Sequence, residues 1–263
     1  MDTFVDERDY LLLDRDPYTF FVLRRVMGGS CELLLTDHEK MILCFTGDPY
    51  PVWIWTPDHA SPAELESVYG LARENGLLDG KHRLNVKYNL AEYFMKRSQQ
   101  DGRPMTVYTR MFAYDCKSPI PPAAGADGTL YRCGAGDIEE LTELLDLFHR
   151  EVGIDQKSIA GYRSDAAAFI ESGHMYFWKD DQGHNVASCK FDPDGEMASV
   201  NLVFTRPAYR RKHYAENLVY RVSLLVRDAG YVPMLYTDAD YEASNACYEK
   251  VGYVLRGKLC MIG

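Results

Sequence analysis

The stretch Val200–Tyr220, VNLVFTRPAYRRKHYAENLVY, decides the fold class for the second half of this 263-residue chain. Its opening residues are mostly apolar and β-favouring, as in a strand. Pro207 breaks the run. From Tyr209 to Asp228 the apolar residues Ala215, Leu218, Val219, Val222 and Val226 recur at helical spacing. A strand that feeds a helix in this way directs several unpaired backbone N–H groups, and the positive end of the helix dipole, at one place. Phosphate groups are natural ligands for such a place. Arg210, Arg211 and Lys212 add charge to the first turn. Three basic residues are also what a solvated helix start would carry, so the reading needs support from elsewhere in the chain.

Met197–Thr205 is expected as a strand after the turn Asp192–Gly195. Before it, His174–Trp178 and Asn185–Phe191 form a hairpin around Asp180–Gly183, and Ser164–Ser172 is a helix. Asp137–Arg150 is a longer helix, capped by Asp137, with Ile138, Leu141, Leu144, Leu145 and Phe148 on one face. Thr129–Arg132 is a short strand. On the C-terminal side, Met234–Thr237 reads as a buried strand, Ser244–Val251 as a short helix closed by Gly252, and Tyr253–Leu259 as a last strand.

Ser118–Gly128, SPIPPAAGADG, holds three prolines and two glycines in eleven residues and reads as an interdomain linker. The first portion alternates strand and helix. Pro17–Met27, Cys31–Leu35, Lys40–Phe45 and Val52–Trp55 carry strand-forming runs. In Val52–Trp55 one tryptophan is expected in the core and the other in a cleft. Ser61, Pro62 and Glu64 open a helix, by reciprocal capping and by a proline where its missing N–H costs nothing. Asn89–Gln100 is a second helix between strands His82–Tyr88 and Met105–Tyr114. The fold class expected is α/β (α+β). Residues 129–263 form a mixed, mostly antiparallel sheet flanked by helices, and residues 1–117 a mixed α+β domain.

Composition bounds the function. Hydrophobic residues at 46% and charged residues at 26% are the balance of a soluble globular chain. The acidic N-terminus lacks the basic start and apolar stretch of a secretory signal, and no apolar run is long enough to span a bilayer, so a cytoplasmic protein without membrane contact is expected. A net charge of −10 argues against nucleic acid as partner and mildly favours a cationic or amine-bearing one. The seven cysteines are scattered without a CxxC pair, so no metal site is expected and they read as reduced, mostly buried thiols.

The order of these elements resembles the GNAT superfamily of acyl-CoA N-acyltransferases over about the last 135 residues. The family's loop signature is an Arg or Gln, two residues, a Gly, one residue, then Gly or Ala. Arg210 matches its first position and Ala215 its last, while His213 stands where the family has glycine. A second block, SNACYEKVGY (Ser244–Tyr253), is similar to the family's late helix, with Asn245, Tyr248 and Gly252 at matching positions.

The resemblance implies acetyl-CoA as cofactor and direct transfer of its acetyl group to an amine, with a small-molecule acceptor and a monomer or homodimer. It implies that main-chain groups near Val203 and Thr205 pair with the pantetheine arm. The loop Arg210, Arg211, Lys212, His213, Tyr214 and Ala215 would hold the diphosphate, and Asn245 would contact the arm. Tyr248 would protonate the departing thiolate. The family's strand carboxylate falls near Ser199, where this chain has none, which leaves Glu196 acting through water, His174, His149 or bulk solvent as the base. Asp155 and Gln156 lie where family members often position the acceptor. The first portion could be a degenerate copy of the same fold. The histidine at 213 and the missing carboxylate keep a second expectation open: a non-catalytic CoA- or ligand-sensing module.

Overall fold

Ser61 accepts from the N–H of Glu64 while Glu64 returns the bond to the N–H of Ser61, and Pro62 follows the cap, so the helix starts where its sequence says it should. The computed structural model describes residues 1–153 and 156–263 and separates into two compact units. The first comprises Met1–Tyr114, Tyr236–Glu242 and Leu255–Gly263, and the second Asp115–Leu235 and Ala243–Val254.

The first unit runs α1 (Glu7–Leu13), α2 (Phe21–Val26), β1 (Leu33–Thr36), β2 (Ile42–Phe45), β3 (Val52–Trp55), α3 (Pro62–Glu74), β4 (Leu84–Lys87), α4 (Tyr88–Gln100) and β5 (Val107–Asp115). Its strands lie in the order β1-β2-β3-β4, followed by the chain's final strand β11 (Val254–Ile262) and then β5. β3 and β4 are parallel, with α3 as the crossover, and β11 is antiparallel to β4 from Leu259↔Lys87 to Ile262↔Leu84.

Three expectations change here. Pro17–Met27 is not a strand: Phe20, Leu23 and Met27 are buried at helical spacing and the segment holds α2. Its β-favouring residues yield to an apolar stripe that one helix face can bury. Trp53 and Trp55 are both buried, in one cluster with Leu13, Phe20 and Leu23, while Val52 and Ile54 face the cluster with α3 and α4. Residues two apart on a strand share a face, so a split between core and cleft was not available to them. Finally, a division at 118–128 leaves β11 with the wrong half, because Leu255–Gly263 belong to the first unit.

The second unit contains β6 (Thr129–Arg132), α5 (Ile138–Val152), α6 (Ile159–Glu171), β7 (Met175–Lys179), β8 (Asn185–Asp194), β9 (Met197–Thr205), α7 (Tyr214–Asp228), β10 (Val232–Asp238) as far as Leu235, and α8 (Glu242–Lys250) from Ala243. The sheet order is β10-β9-β8-β7-β6; neighbours from β6 to β9 are antiparallel, and β9 and β10 are parallel across α7. The fold class expected from sequence is the one observed. α6 starts earlier than expected, capped by Ser158, whose hydroxyl accepts from the N–H of Gly161. Asp155 lies outside the described residues.

The proline-rich stretch is not a free tether. Ile120 donates its N–H to Val251 O, Asn217 Nδ2 donates to Ala124 O, and the Tyr214 hydroxyl donates to Asp127 at 2.6 Å. It straps the second unit along α8 and the start of α7. The helix order also repeats: α1-α2-β1-β2-β3-α3-β4-α4-β5 in the first unit matches α5-α6-β7-β8-β9-α7-β10-α8-β11 in sequence.

Candidate functional site

β9 carries an extra residue. Ser188 faces Phe204 and Lys190 faces Asn201, so one more residue is spent on β9 than on β8, and Leu202 sits at φ 51°. This is a bulge, which bends a strand and releases part of its ladder. On the other side the pairing of β9 with β10 runs Met197↔Val232, Ala198↔Pro233 and Ser199↔Met234. β9 continues beyond it, to Thr205. The stretch from Val200 to Thr205, including the expected arm-binding residues Val203 and Thr205, therefore runs past the end of the β10 ladder. The Thr205 hydroxyl is buried without a hydrogen-bond partner.

β9 leads into α7 through a single 3-10 turn, Pro207–Tyr209, in which Arg210 donates its N–H to Pro207 O. Arg211 and His213 then both adopt left-handed backbone, each at φ 63°. Among the described residues, the first main-chain bond of the helix start is Asn217 N–H to His213 O. Among the described residues, the N–H groups of Arg211, His213, Tyr214, Ala215 and Glu216 thus enter no turn or helix bond at the start of α7. The glycine expected at 213 is explained by the backbone: the position is left-handed, which a side chain tolerates at a cost of about 1 kcal/mol or more.

The basic side chains are less free than the sequence suggests. Arg210 donates from Nε to Thr205 O at 3.2 Å, pairs with Glu151 at 2.9 Å, and lies over Phe204 at 5.6 Å. It ties the turn to the end of β9. Lys212 sits over the Tyr209 ring at 5.5 Å. His213 Nδ1 is 3.2 Å from Glu216, whose other oxygen accepts from Lys250 Nζ at 2.9 Å. Burial alone would raise the Glu216 carboxyl, but Lys250 and His213 hold it below the usual range. This carboxylate in the first turn of α7 is thereby neutralised, and Lys250 links α8 to α7.

α8 supplies Asn245 and Tyr248, three residues apart on one helix face and 8% and 7% exposed. The Tyr248 ring lies 5.8 Å from that of Tyr253, whose hydroxyl bonds Ser223 at 2.7 Å. The structure thus brings Val203, Thr205 and the loop Arg210–Ala215 together in one strand–turn–helix, with Asn245 and Tyr248 on a helix linked to it. Glu196 is apart. It is exposed in the β8–β9 turn, at the far end of β9 and roughly 20 Å from Val203 along an extended strand.

Sequence reasoning missed a closer carboxylate. Asp192 on β8 is the register partner of Ser199, accepts from Lys190 Nζ at 2.6 Å and 2.7 Å, and accepts from Asn201 Nδ2 at 2.8 Å. Its side chain is 41% exposed. The alternation Lys190, Phe191, Asp192 marks a polar pair on one strand face, which is the signal that could have found it. His174 stacks on Phe191 at 4.3 Å, and burial pushes its pKa down.

A bulged strand that outruns the ladder of its parallel neighbour and feeds a helix start with open N–H groups is an α/β arrangement suited to an anion. The model of the "Acetyltransferase (GNAT) family" matches residues 138–253, and the second unit of this chain therefore carries a GNAT-family acetyltransferase domain. Among solved structures, a GCN5-related N-acetyltransferase from Sphaerobacter thermophilus superposes with a TM-score of 0.63 at 14% identity, covering 92% of this chain and 84% of its own. One from Kribbella flavida gives 0.61 at 14% identity, covering 95% and 94%. A GNAT-family acetyltransferase from Colwellia psychrerythraea gives 0.58 at 10% identity, covering 98% of each chain. At these identities the likeness is one of fold. No curated protein matches the sequence. No helix among the described residues is long and apolar enough to cross a membrane.

Proposed function

We propose that the chain is an N-acetyltransferase that moves an acetyl group from acetyl-CoA to a small amine by direct transfer. The observation that carries this reading is the set of open N–H groups at Arg211 and from His213 to Glu216, on the helix that follows β9 past the end of its ladder with β10. The residues present fit the cofactor. The open N–H groups suit its diphosphate, the main chain from Val203 to Thr205 runs past the β10 ladder and suits its amide-bearing arm, with Thr205 O already held by Arg210 Nε, and the Thr205 hydroxyl is a buried group in want of a partner. Bound there, acetyl-CoA would supply an acyl group already activated as a thioester.

The chain's own residues have separate tasks. Tyr248 offers a phenolic proton to the departing sulfur, and Asn245 orients the arm from the same helix face. Asp192, set in place by Lys190 and Asn201, is the carboxylate nearest the bulge in register and takes the proton that the acceptor amine gives up. No protein nucleophile is called for. Burial pushes the thiols of Cys116 and Cys247 up to about 12, which suits inert packing rather than attack.

The first unit repeats the element order, as a degenerate copy would, but α3 is closed. Pro62 removes one N–H from its first turn, Ser61 Oγ accepts from the N–H of Glu64, and Lys40 pairs with Glu64 at 2.6 Å. One cofactor site per chain follows. Titration calorimetry with acetyl-CoA, together with thiol release across a panel of amines, polyamines and aminoglycosides, tests the reading. Cofactor binding without thiol release from any acceptor would favour a sensing module instead.

A further inference from the structure

Two thiols in the first unit are in contact. Cys31 and Cys44 hold their Sγ atoms 3.4 Å apart. Their surroundings differ. Cys44 lies inside β2 and is fully buried, whereas Cys31 is partly exposed in the segment that joins α2 to β1, just after Gly28, Gly29 and Ser30. Cys31 also lines a cavity of about 320 Å³ with Thr3, Gly29, Glu32, Leu33 and Leu34. Its Sγ is 3.5 Å from Val26 O and 3.8 Å from Gly29 O. Burial, reinforced by the neighbouring Cys31, pushes the Cys44 thiol far up. No step of acetyl transfer uses either residue.

We propose that Cys31 and Cys44 form a modification site that small-molecule disulfides convert to an intramolecular disulfide. A disulfide bond places its sulfurs about 2.05 Å apart, so closure asks for a sulfur displacement of about 1.4 Å. The Gly28–Gly29 segment beside Cys31 can supply it, because glycine restricts the backbone least. The asymmetry fixes the order of events. The Cys31 thiolate, reached through the cavity, attacks one sulfur of the oxidant; a mixed disulfide forms and one small thiolate leaves. The Cys44 thiolate then attacks the Cys31 sulfur, the protein disulfide forms, and the second small thiolate leaves. The two protein thiols are oxidised, the oxidant is reduced to two thiols, and these take up the two protons the protein has lost. The buried Cys44 is a slow partner at neutral pH, so closure quickens with alkalinity.

The test uses the full-length reduced protein with oxidised glutathione at pH 8, quenched with an alkylating agent and mapped by mass spectrometry after trypsin. The expected product joins the peptide 26–40, which holds Cys31, to the peptide 41–73, which holds Cys44. Excess dithiothreitol should separate them again. In Cys44→Ser the glutathione adduct should stop and accumulate on Cys31, and in Cys31→Ser Cys44 should stay unmodified over the same interval. Stable glutathionylation of Cys31 in the wild-type chain without the joined peptides overturns the proposal, as does recovery of both thiols unreacted. The wild-type map stands even if a variant fails to fold.

Discussion

Replacing His213 by glycine and by alanine separates the backbone of the α7 start from its side chain. The wild-type residue sits at φ 63° and ψ 8°, in left-handed backbone. That conformation costs a residue with a Cβ about 1–2 kcal/mol, and glycine essentially nothing. Glycine also gains freedom in the unfolded chain, which opposes the gain by about 0.4–1 kcal/mol. The expected balance is that His213→Gly is more stable than His213→Ala by about 0.5–1 kcal/mol. His213→Ala keeps the strained backbone and loses the exposed contact with Glu216 at 3.2 Å, so it should fall within about 1 kcal/mol of wild type. Equilibrium urea unfolding gives both differences, and calorimetry with acetyl-CoA adds the affinity. Because the ring is engaged with Glu216 and the loop's N–H groups make the cradle, His213→Gly should bind acetyl-CoA within about threefold of wild type. An alanine variant as stable as the glycine variant would refute the left-handed assignment. A large loss of affinity in His213→Gly alone would show that the imidazole, not the backbone, holds the phosphates.

Thr205→Val removes a buried hydroxyl that lacks a partner, so the free protein should gain up to about 1 kcal/mol in urea unfolding while acetyl-CoA binds more weakly. Tyr248→Phe should lower kcat at least about tenfold with the acetyl-CoA Kd within about twofold; equal losses in both would make Tyr248 a binding residue. Asp192→Asn should lower kcat most at neutral pH and least at alkaline pH, where the acceptor amine loses its proton unaided, in a pH–rate profile. In the first unit His38 is buried, with Nδ1 2.7 Å from the buried Asp9 and Nε2 3.0 Å from Asp2. Burial pulls its pKa down, but the two carboxylates prevail and raise it. Its contribution is therefore complete below about pH 6.5 and lost as pH rises through the raised value, so thermal stability should decline over that window in wild type and not in His38→Gln.

Much of the second unit was legible because its signals are local. Met197–Thr205 and the end of the long helix at Asp228 are where the sequence places them, although that helix begins at Tyr214 rather than Tyr209, and the paired blocks at Arg210–Ala215 and Ser244–Tyr253 fall at the entry to α7 and along α8 and the turn after it. The Ser61–Glu64 box declared α3 by side-chain chemistry alone. What failed was long-range. Nothing near Leu255 says that the last strand pairs with Leu84–Lys87, since register depends on partners far away in sequence. The bulge at Leu202 carries no glycine to announce its positive φ. Tyr18 to Val26 favours a strand residue by residue, and only the burial of Phe20, Leu23 and Met27 turns it into a helix. The proline-rich stretch read as a tether because its bonds to Val251 and Asn217 are tertiary. Asp192 was passed over because a turn, Asp192–Gly195, was the stronger local reading, although the strand extends to Asp194.

The central claim is that the open start of α7 holds the diphosphate of acetyl-CoA, and titration calorimetry of the purified chain tests it most directly. The expected result is saturable binding at one molecule per chain with a Kd below about 100 μM, unchanged when Glu64 at the closed start of α3 is replaced by Ala. No binding at millimolar acetyl-CoA, or two equivalent sites per chain, would contradict it.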